Sequence, residues 1–274
     1  MYSDPTNDGL LRYVRARWPT YVIGFGGGFL LALWLVVIGA GQGRWWLVVV
    51  ALAALLVLAY FFTMSLWSAN EQFNRRHSLP ATVIFELGQI QPTDDVIYVG
   101  LGLRDTPIRL SRRLTRGQVQ AVDVYNPQLA PGAVLARQRR PLPNVPPDPR
   151  LIWLEGSIGL LPLPDNSAHI VACSYTLVEL WQHGDRQLLL REMRRVLQPG
   201  GHLLLAEPVR TRTQFLTVGP AALRLPGAEY WRRQLAESGF NVVREHNISG
   251  FYTCFRAEKP LPGTVQQLAL DLGI

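Results

Sequence analysis

The chain has 274 residues, of which 48% are apolar, and 27 basic against 20 acidic side chains give a formal net charge of +7. Charged residues are absent from two stretches of 26 residues, 18–43 and 45–70, and have normal density from Glu71 onwards. This distribution excludes a wholly water-soluble globule, a disordered chain and a collagen-like fibre. The chain has only two cysteines, which excludes a disulfide framework and disfavours a cysteine-based metal site.

The two uncharged stretches predict a hairpin of transmembrane helices, at residues 21–41 and 45–66. Each supplies the roughly 20 helical residues that cross a hydrocarbon core of about 30 Å. The link 41–44 is long enough only for a tight turn, and aromatic residues mark the ends of the helices, as at a water–lipid boundary: Trp18, Tyr21, Trp45, Trp46 and Trp67. A cleaved signal peptide is the alternative, but it would have a shorter apolar core and no second span directly after it.

Arginines near the helix ends predict the orientation of the hairpin. Three precede the first helix and two follow the second, whereas Arg44 stands alone in the turn. The predicted protein is therefore integral to the inner or cell membrane, with both termini and the soluble part in the cytoplasm and the lipid bilayer as a partner. Gly24 and Gly28 in the first helix have the spacing of close helix packing, which we favour over a phosphate-binding loop.

Beyond the predicted anchor (1–70), the sequence indicates a connector (71–93), an α/β domain (94–260) and a tail (261–274). Short apolar runs alternate with amphipathic helical stretches at 186–197 and 228–238, which predicts a mainly parallel sheet with helices on both faces. The predicted strands are 95–99, 118–123, 150–154, 168–173 and 202–206, followed by a final pair at 241–245 and 251–255.

A glycine turn follows the first predicted strand. Gly100 and Gly102 would let backbone N–H groups approach a ligand closely, although such glycines also serve simple tight turns. Asp123 comes 23 residues after Gly100, near the end of the second strand. A carboxylate in this position can accept hydrogen bonds from both hydroxyls of a ribose, and its alternative role is a turn residue or helix cap.

Three longer motifs resemble class I S-adenosylmethionine-dependent methyltransferases, especially the small-molecule and quinone-type branch. Residues 190–208, LREMRRVLQPGGHLLLAEP, are similar to the family's block of helix, Pro-Gly-Gly turn and strand. Residues 161–167, LPLPDNS, and 235–240, LAESGF, are similar to its turn before the fourth strand and its entry to the sixth. The resemblance covers roughly 94–257 and implies a Rossmann-like, seven-stranded methyltransferase sheet with S-adenosylmethionine as cofactor.

Carried over by position, the resemblance implies a set of cofactor-binding residues. Tyr98, Gly100, Leu101 and Gly102 fall at the methionine end, and Asp123 at the ribose. Around the adenine and beneath the sulfonium it places Ser157, Ile158 and Ser174.

The glycine turn departs from the family pattern at two places. The family's acidic residue is Tyr98 here, and its third glycine is Arg104. A missing carboxylate removes a charge-assisted hydrogen bond worth about 1.5–3 kcal/mol. Arg104 would either crowd the helix that follows or reach the methionine carboxylate. The family's adenine-side and fourth-strand aspartates are also replaced, by Ser157 and His169. These changes leave two readings open: weak cofactor binding, or a domain that kept the fold and lost the cofactor.

Three side chains near the predicted site are candidate bases, His169, Glu179 and His183, but none stands in a recognisable pair, so no catalytic residue is predicted. Residues 209–230 are either a lid that faces lipid or a packed surface loop. The stretch 104–150 contains nine arginines, which suit either an anionic lipid surface or a solvated face.

The sequence thus favours a membrane-anchored methyltransferase that acts on a lipophilic small-molecule acceptor. The alternative is a non-catalytic subunit of a larger membrane complex, in which the domain is a structural or regulatory platform. Nucleic acid is not an expected partner, because the chain lacks the Asn/Asp-Pro-Pro-Tyr type of tetrapeptide that holds a flipped base.

Overall fold

The computed structural model describes residues 9–73, 79–139 and 148–262. The N-terminal part is helical: α1 (Gly9–Ala16), a π-helical stretch (Thr20–Gly26) that continues into α2 (Gly27–Gly41), and α3 (Trp45–Phe73). Thr20–Gly41 and Trp45–Glu71 are long and apolar enough to span a membrane, and few of their residues are buried. These helices coincide with the predicted spans, except that α3 continues beyond residue 66.

The hairpin helices pack closely at two glycines of α2. A Cβ at Gly28 would lie 3.1 Å from Cδ1 of Leu58, and a Cβ at Gly39 would lie 3.0 Å from Cβ of Leu47. Gly24, by contrast, has no atom within 4 Å of an added Cβ. The predicted packing role is therefore right for Gly28 and wrong for Gly24, because the helix contact begins one turn later than the Gly-x-x-x-Gly spacing implied.

The rest of the described chain forms one seven-stranded sheet in the order β3-β2-β1-β4-β5-β7-β6. Adjacent strands are parallel from β3 to β5, and β7 runs antiparallel to β5 and β6. The strands are β1 (Val96–Gly100), β2 (Val119–Asp123), β3 (Leu151–Glu155), β4 (Ala168–Ser174), β5 (Leu197–Pro208), β6 (Asn241–Ile248) and β7 (Tyr252–Glu258). The predicted fold is confirmed, and β5 begins earlier than predicted because Leu197 already pairs with Ala168, and Gly200 and Gly201 with Lys259.

Helices cover both faces of this sheet: α4 (Pro80–Leu87), α5 (Asp105–Ser111), α6 (Ala133–Gln138), α7 (His183–Val196), α8 (Arg212–Val218) and α9 (Ala228–Glu237). Side chains alternate between the two faces along a strand. In β1, Ile97 and Val99 therefore lie in the core beneath α7 and α9. Val96 and Tyr98 lie in the core beneath α4 and α5.

Helix α4 lies within the predicted connector 71–93, yet it belongs to the packed domain. Its first five residues are buried, and Ile84 is fully enclosed in the core that also contains Leu204 of β5. The run Pro80-Ala-Thr-Val-Ile84 is apolar enough to cover a sheet face, and Pro80 begins the helix at a position where its missing N–H costs nothing. The structured domain therefore begins before its first strand.

Candidate active site

The glycine turn and Asp123 meet at the carboxyl ends of β1 and β2. Gly100 and Asp123 are paired in register, and the N–H of Val124 donates to the carbonyl of Gly100 at 2.9 Å. Gly102 has a φ of 73°, and a Cβ there would lie 2.5 Å from Oδ2 of Asp123. Only glycine therefore fits at this position, and the backbone of the turn lies directly against the carboxylate.

The end of β3 completes this edge of the sheet. The N–H of Gly156 donates to the carbonyl of Asp123 at 2.9 Å, which brings the next residue, Ser157, beside the end of β2. Ser157 is exposed and its Oγ accepts from the N–H of Leu160 at 3.1 Å, whereas the side chain of Ile158 is buried in the core. Of the two residues placed at the adenine, Ser157 presents its side chain at the surface and Ile158 does not.

Tyr98 occupies the position of the family's acidic residue as part of a buried hydroxyl cluster. Its Oη lies 2.8 Å from Oγ of Ser174, which donates to Oγ1 of Thr106 at 3.4 Å. The ring of Tyr98 packs against the turn, since a Cβ at Gly100 would lie 2.8 Å from Cε1. Burial raises the pKa of the Tyr98 phenol far above its ordinary value, so the hydroxyl stays neutral. Tyr98 therefore makes a hydrogen bond between two neutral hydroxyls, its own and that of Ser174, at the position where the family has a charged carboxylate.

Arg139, which the sequence did not single out, lies over the same edge. Its Nη1 donates to Oδ1 of Asp123 at 2.9 Å and to the carbonyl of Leu101 at 2.6 Å. Its guanidinium lies 3.9 Å from the ring centre of Tyr125, whose N–H also donates to Oδ1 of Asp123, at 3.0 Å. A Cβ at Gly102 would lie 2.1 Å from the same Nη1. Arg139 therefore fills the space between the glycine turn and the carboxylate.

Arg104, at the place of the family's third glycine, contacts strand β3. It is exposed at the start of α5, and its guanidinium lies 5.3 Å from the ring centre of Trp153 in β3. This cation–π contact directs the charge onto the edge strand of the sheet rather than onto the glycine turn.

A buried carboxylate organises the loop that follows β4. Glu207 of β5 is fully buried and accepts hydrogen bonds from the N–H groups of Thr176, Leu177 and Val178, at 2.9, 2.9 and 3.2 Å. Burial raises the pKa of Glu207 to about 7, against the lowering effect of these donors. Tyr175, just before them, has a φ of 52°, an unfavourable conformation for a residue with a side chain. Glu207 thus fixes a strained turn at the edge of the sheet where the parallel strands end. This edge is here named the carboxyl edge.

Glu179 lies at the end of the same loop and is partly buried. Its Oε2 lies 3.2 Å from where a Cβ at Gly132 would be, so it faces the start of α6. Burial raises the pKa of its carboxyl group, and the positive charge of Arg17 lowers it by a smaller amount. Of the other two candidate bases, His183 contacts the Tyr230 hydroxyl at 3.2 Å on the outer surface, and His169 contacts His202 at the opposite end of β4. Of the two candidates that follow the carboxyl end of β4, Glu179 is partly buried, whereas the side chain of His183 is 53% exposed.

The N-terminal helix covers this side of the domain. Helix α1 packs against α3 and α6, and Nε of Arg137 donates to the carbonyl of Ala16 at 2.6 Å. Tyr13 is buried, with 8% of its surface exposed, and the guanidinium of Arg17 lies 4.7 Å from the centre of its ring. The segment before the hairpin is therefore part of the wall around the carboxyl edge.

Known proteins match this part of the chain. Residues 98–205 match the sequence family described as methyltransferase domain. The chain is 28% identical to a ubiquinone/menaquinone biosynthesis C-methyltransferase of Shewanella frigidimarina over 203 residues, which cover 74% of this chain and 72% of that protein. It is also 28% identical over 132 residues to the protein of the same description from Teredinibacter turnerae, and there it spans about half the length of the relative.

The fold is similar to that of a SAM-dependent methyltransferase from Aquifex aeolicus, with a TM-score of 0.51 and 21% identity. The alignment covers 70% of this chain and 97% of that structure. The turn at Gly100–Gly102 lies beside Asp123 at the carboxyl ends of β1 and β2, the edge at which open α/β sheets bind nucleotides. Residues 98–205 thus match a methyltransferase domain in sequence, and the seven-stranded sheet has the fold of SAM-dependent methyltransferases.

Proposed function

We propose that the chain is a membrane-anchored methyltransferase that transfers a methyl group from S-adenosylmethionine to a ring carbon of a lipophilic, quinone-type acceptor. The observation that carries this proposal is the contact between the glycine turn and Asp123, within the residues that match the methyltransferase family. The curated relatives supply the acceptor class, since each is described as a ubiquinone/menaquinone biosynthesis C-methyltransferase.

The residues present fit the cofactor once Arg139 moves aside. Asp123 would accept hydrogen bonds from the ribose hydroxyls, and the turn at Gly102 has the bare backbone that a close ligand needs. Arg139 is partly exposed, with 26% of its side chain accessible, so its guanidinium can move into water. When bound, the cofactor supplies an electrophilic methyl group, and the protein supplies alignment and desolvation.

Methylation of a ring carbon releases a proton, and Glu179 is the carboxylate that we assign to receive it. It lies on the loop after β4, at the carboxyl edge that also carries Asp123. Its raised pKa makes it a stronger base than an exposed carboxylate. Glu207 holds the backbone of this loop and acts as a positioning residue.

The hairpin supports a lipophilic acceptor. Two apolar helices directly before the domain would hold the carboxyl edge close to the bilayer, where a quinone-type molecule dissolves. Arginines on both outer flanks and only Arg44 in the turn favour a cytoplasmic domain.

The test uses the full-length chain in lipid nanodiscs, S-adenosylmethionine with a tritiated methyl group, and a reduced naphthoquinone with a short isoprenoid chain and an open ring carbon. We expect tritium in the organic phase with the wild type and with Arg116→Gln, an exposed arginine at the opposite end of β2. Asp123→Ala should abolish most transfer, and Glu179→Gln should lower kcat while cofactor binding is retained. Bound cofactor without methyl transfer to this acceptor would contradict the proposed substrate class.

A second candidate function is that of a non-catalytic subunit in a larger membrane complex. The ion pair between Arg139 and Asp123 favours it, because it occupies the ribose carboxylate with a group of the chain itself. Under this alternative the wild type shows no saturable binding of S-adenosylhomocysteine and purifies from native membranes with stoichiometric partner subunits.

A further inference from the structure

One segment of the domain lies against the second hairpin helix at a depth that a bilayer would cover. It comprises α8 and the following 3-10 helix, residues 212–224, here named the interfacial segment. Helix α8 contacts α3, and a Cβ at Gly219 would lie 3.1 Å from Cε1 of Phe61. Phe61 lies inside the apolar helix, six residues before Trp67. At 1.5 Å per residue, the segment reaches about 9 Å further along α3 than Trp67 does.

The residue that precedes this segment is hydrogen-bonded to the domain, which sets the depth of the segment. Oγ1 of Thr211 donates to the carbonyl of Gly250 in the turn between β6 and β7. Phe251 in the same turn packs on Trp67, with ring centres 5.8 Å apart. Trp67 has the amphipathic side chain typical of the water–lipid boundary. The contact with Phe61 therefore places the interfacial segment on the lipid side of that boundary.

The face of the segment turned away from the protein is apolar. Phe215, Leu216 and Leu223 are 49%, 54% and 61% exposed, whereas Gln214 and Thr217 are buried against the protein. Large apolar side chains so close together on a surface mark an interaction site. Exposed arginines flank them, Arg212 at the start of the segment and Arg224 at its end. Arginine side chains in such positions reach lipid phosphates while their stems stay in apolar surroundings.

We propose that the interfacial segment inserts into the cytoplasmic leaflet, with Phe215, Leu216 and Leu223 among the acyl chains and Arg212 and Arg224 at the phosphates. This inference rests on the membrane anchoring proposed above. The segment follows directly after β5, so insertion holds that part of the carboxyl edge at the leaflet surface. The domain is then attached to the bilayer by a third contact in addition to the two spans.

The test places an environment-sensitive fluorophore on single introduced cysteines in the full-length chain, reconstituted in phosphatidylcholine–phosphatidylglycerol nanodiscs. The native Cys173 and Cys254 are fully buried and stay unlabelled. Leu216→Cys and Leu223→Cys should show blue-shifted emission that lipids with a spin label near the carboxyl end of the acyl chain quench. Leu188→Cys on α7, at a leucine that is 42% exposed, is the matched control and should show the emission of a probe in water.

Leu52→Cys on α3 separates the two proposals. Quenching at Leu52 without quenching at Leu216 and Leu223 would overturn the interfacial segment and leave the anchor intact. Absence of quenching at all three positions would overturn the anchor itself. Blue-shifted emission at Leu216 without lipid quenching would show that a protein surface covers the segment, and would also overturn the proposal.

Discussion

Arg139 holds Asp123 in an ion pair with 2.9 Å between Nη1 and Oδ1, at the carboxyl ends of β1 and β2. The two side chains are 26% and 25% exposed, so the pair is weakened by water and its separation costs little. Under the proposed function, the cofactor and Arg139 compete for one carboxylate.

Replacement of Arg139 by glutamine should strengthen cofactor binding, because the cofactor then displaces no ion pair. We expect the Kd for S-adenosylhomocysteine to fall by up to about tenfold, which corresponds to about 1.4 kcal/mol. Isothermal titration calorimetry on the full-length protein in nanodiscs measures it, with Arg116→Gln as the matched control. A weaker affinity after Arg139→Gln would mean that the guanidinium contacts the cofactor instead of competing with it.

The hydroxyl pair Tyr98–Ser174 should contribute to stability as a unit. Removing one partner leaves a buried polar atom on the other, so Tyr98→Phe and Ser174→Ala should each lower the free energy of unfolding by about 1–3 kcal/mol. A double-mutant cycle by thermal unfolding should give a coupling energy near 1 kcal/mol. Strictly additive effects would show that the two hydroxyls do not interact.

Lys259, the only lysine of the chain, should be important for stability. Its Nζ donates to Oδ1 of Asn166 and to the carbonyls of Arg194 and Leu197, at 2.7, 2.8 and 2.6 Å, and so caps the end of α7. Lys259→Met should cost about 1.5–3 kcal/mol in the free energy of unfolding. Lys259→Arg should not restore it, because a planar guanidinium does not fit three converging acceptors. Wild-type stability in the methionine variant would refute the capping role.

Glu207 should make stability depend on pH. Its pKa rises from 4.5 to about 7 in the folded protein because of burial, and the nearby carboxylate of Glu179 adds to the rise. Between these values the folded state holds a proton that the unfolded chain has released, so the free energy of unfolding should fall as the pH increases from about 4.5 to about 7 and then level off. Glu207→Gln should flatten this dependence in thermal unfolding, whereas Glu86→Gln, at an exposed site, should leave it unchanged. Equal slopes in all three proteins would contradict the assignment.

The hairpin offers a matched pair of glycine substitutions. Gly39→Val should clash with Leu47 and with the carbonyl of Arg44, 3.2 Å from the added Cβ, whereas Gly24→Val meets open space. We expect the first variant to lose about 1–3 kcal/mol of stability in detergent and the second to resemble the wild type. Equal effects of the two substitutions would contradict the helix packing described here.

Sequence patterns were sufficient for the sheet and for the placement of Gly100, Gly102 and Asp123. Strand and helix periods are local, and the carboxyl ends of parallel strands must meet at one edge. The contact between Arg139 and Asp123 was not predictable in this way, because nothing local separates Arg139 from the eight other arginines of 104–150. The connector assignment around Ile84 missed a helix, since burial of a short apolar run depends on the sheet face available to it.

The central claim is that the crevice between the glycine turn and Asp123 holds an adenosyl group. Equilibrium titration of the full-length protein in nanodiscs with S-adenosylhomocysteine tests it most directly. We predict saturable binding by the wild type that weakens about 10–100-fold in Asp123→Asn, because charge-assisted hydrogen bonds to the ribose are lost. Absence of saturable binding by both the wild type and Arg139→Gln, in a protein that remains folded, would contradict the account.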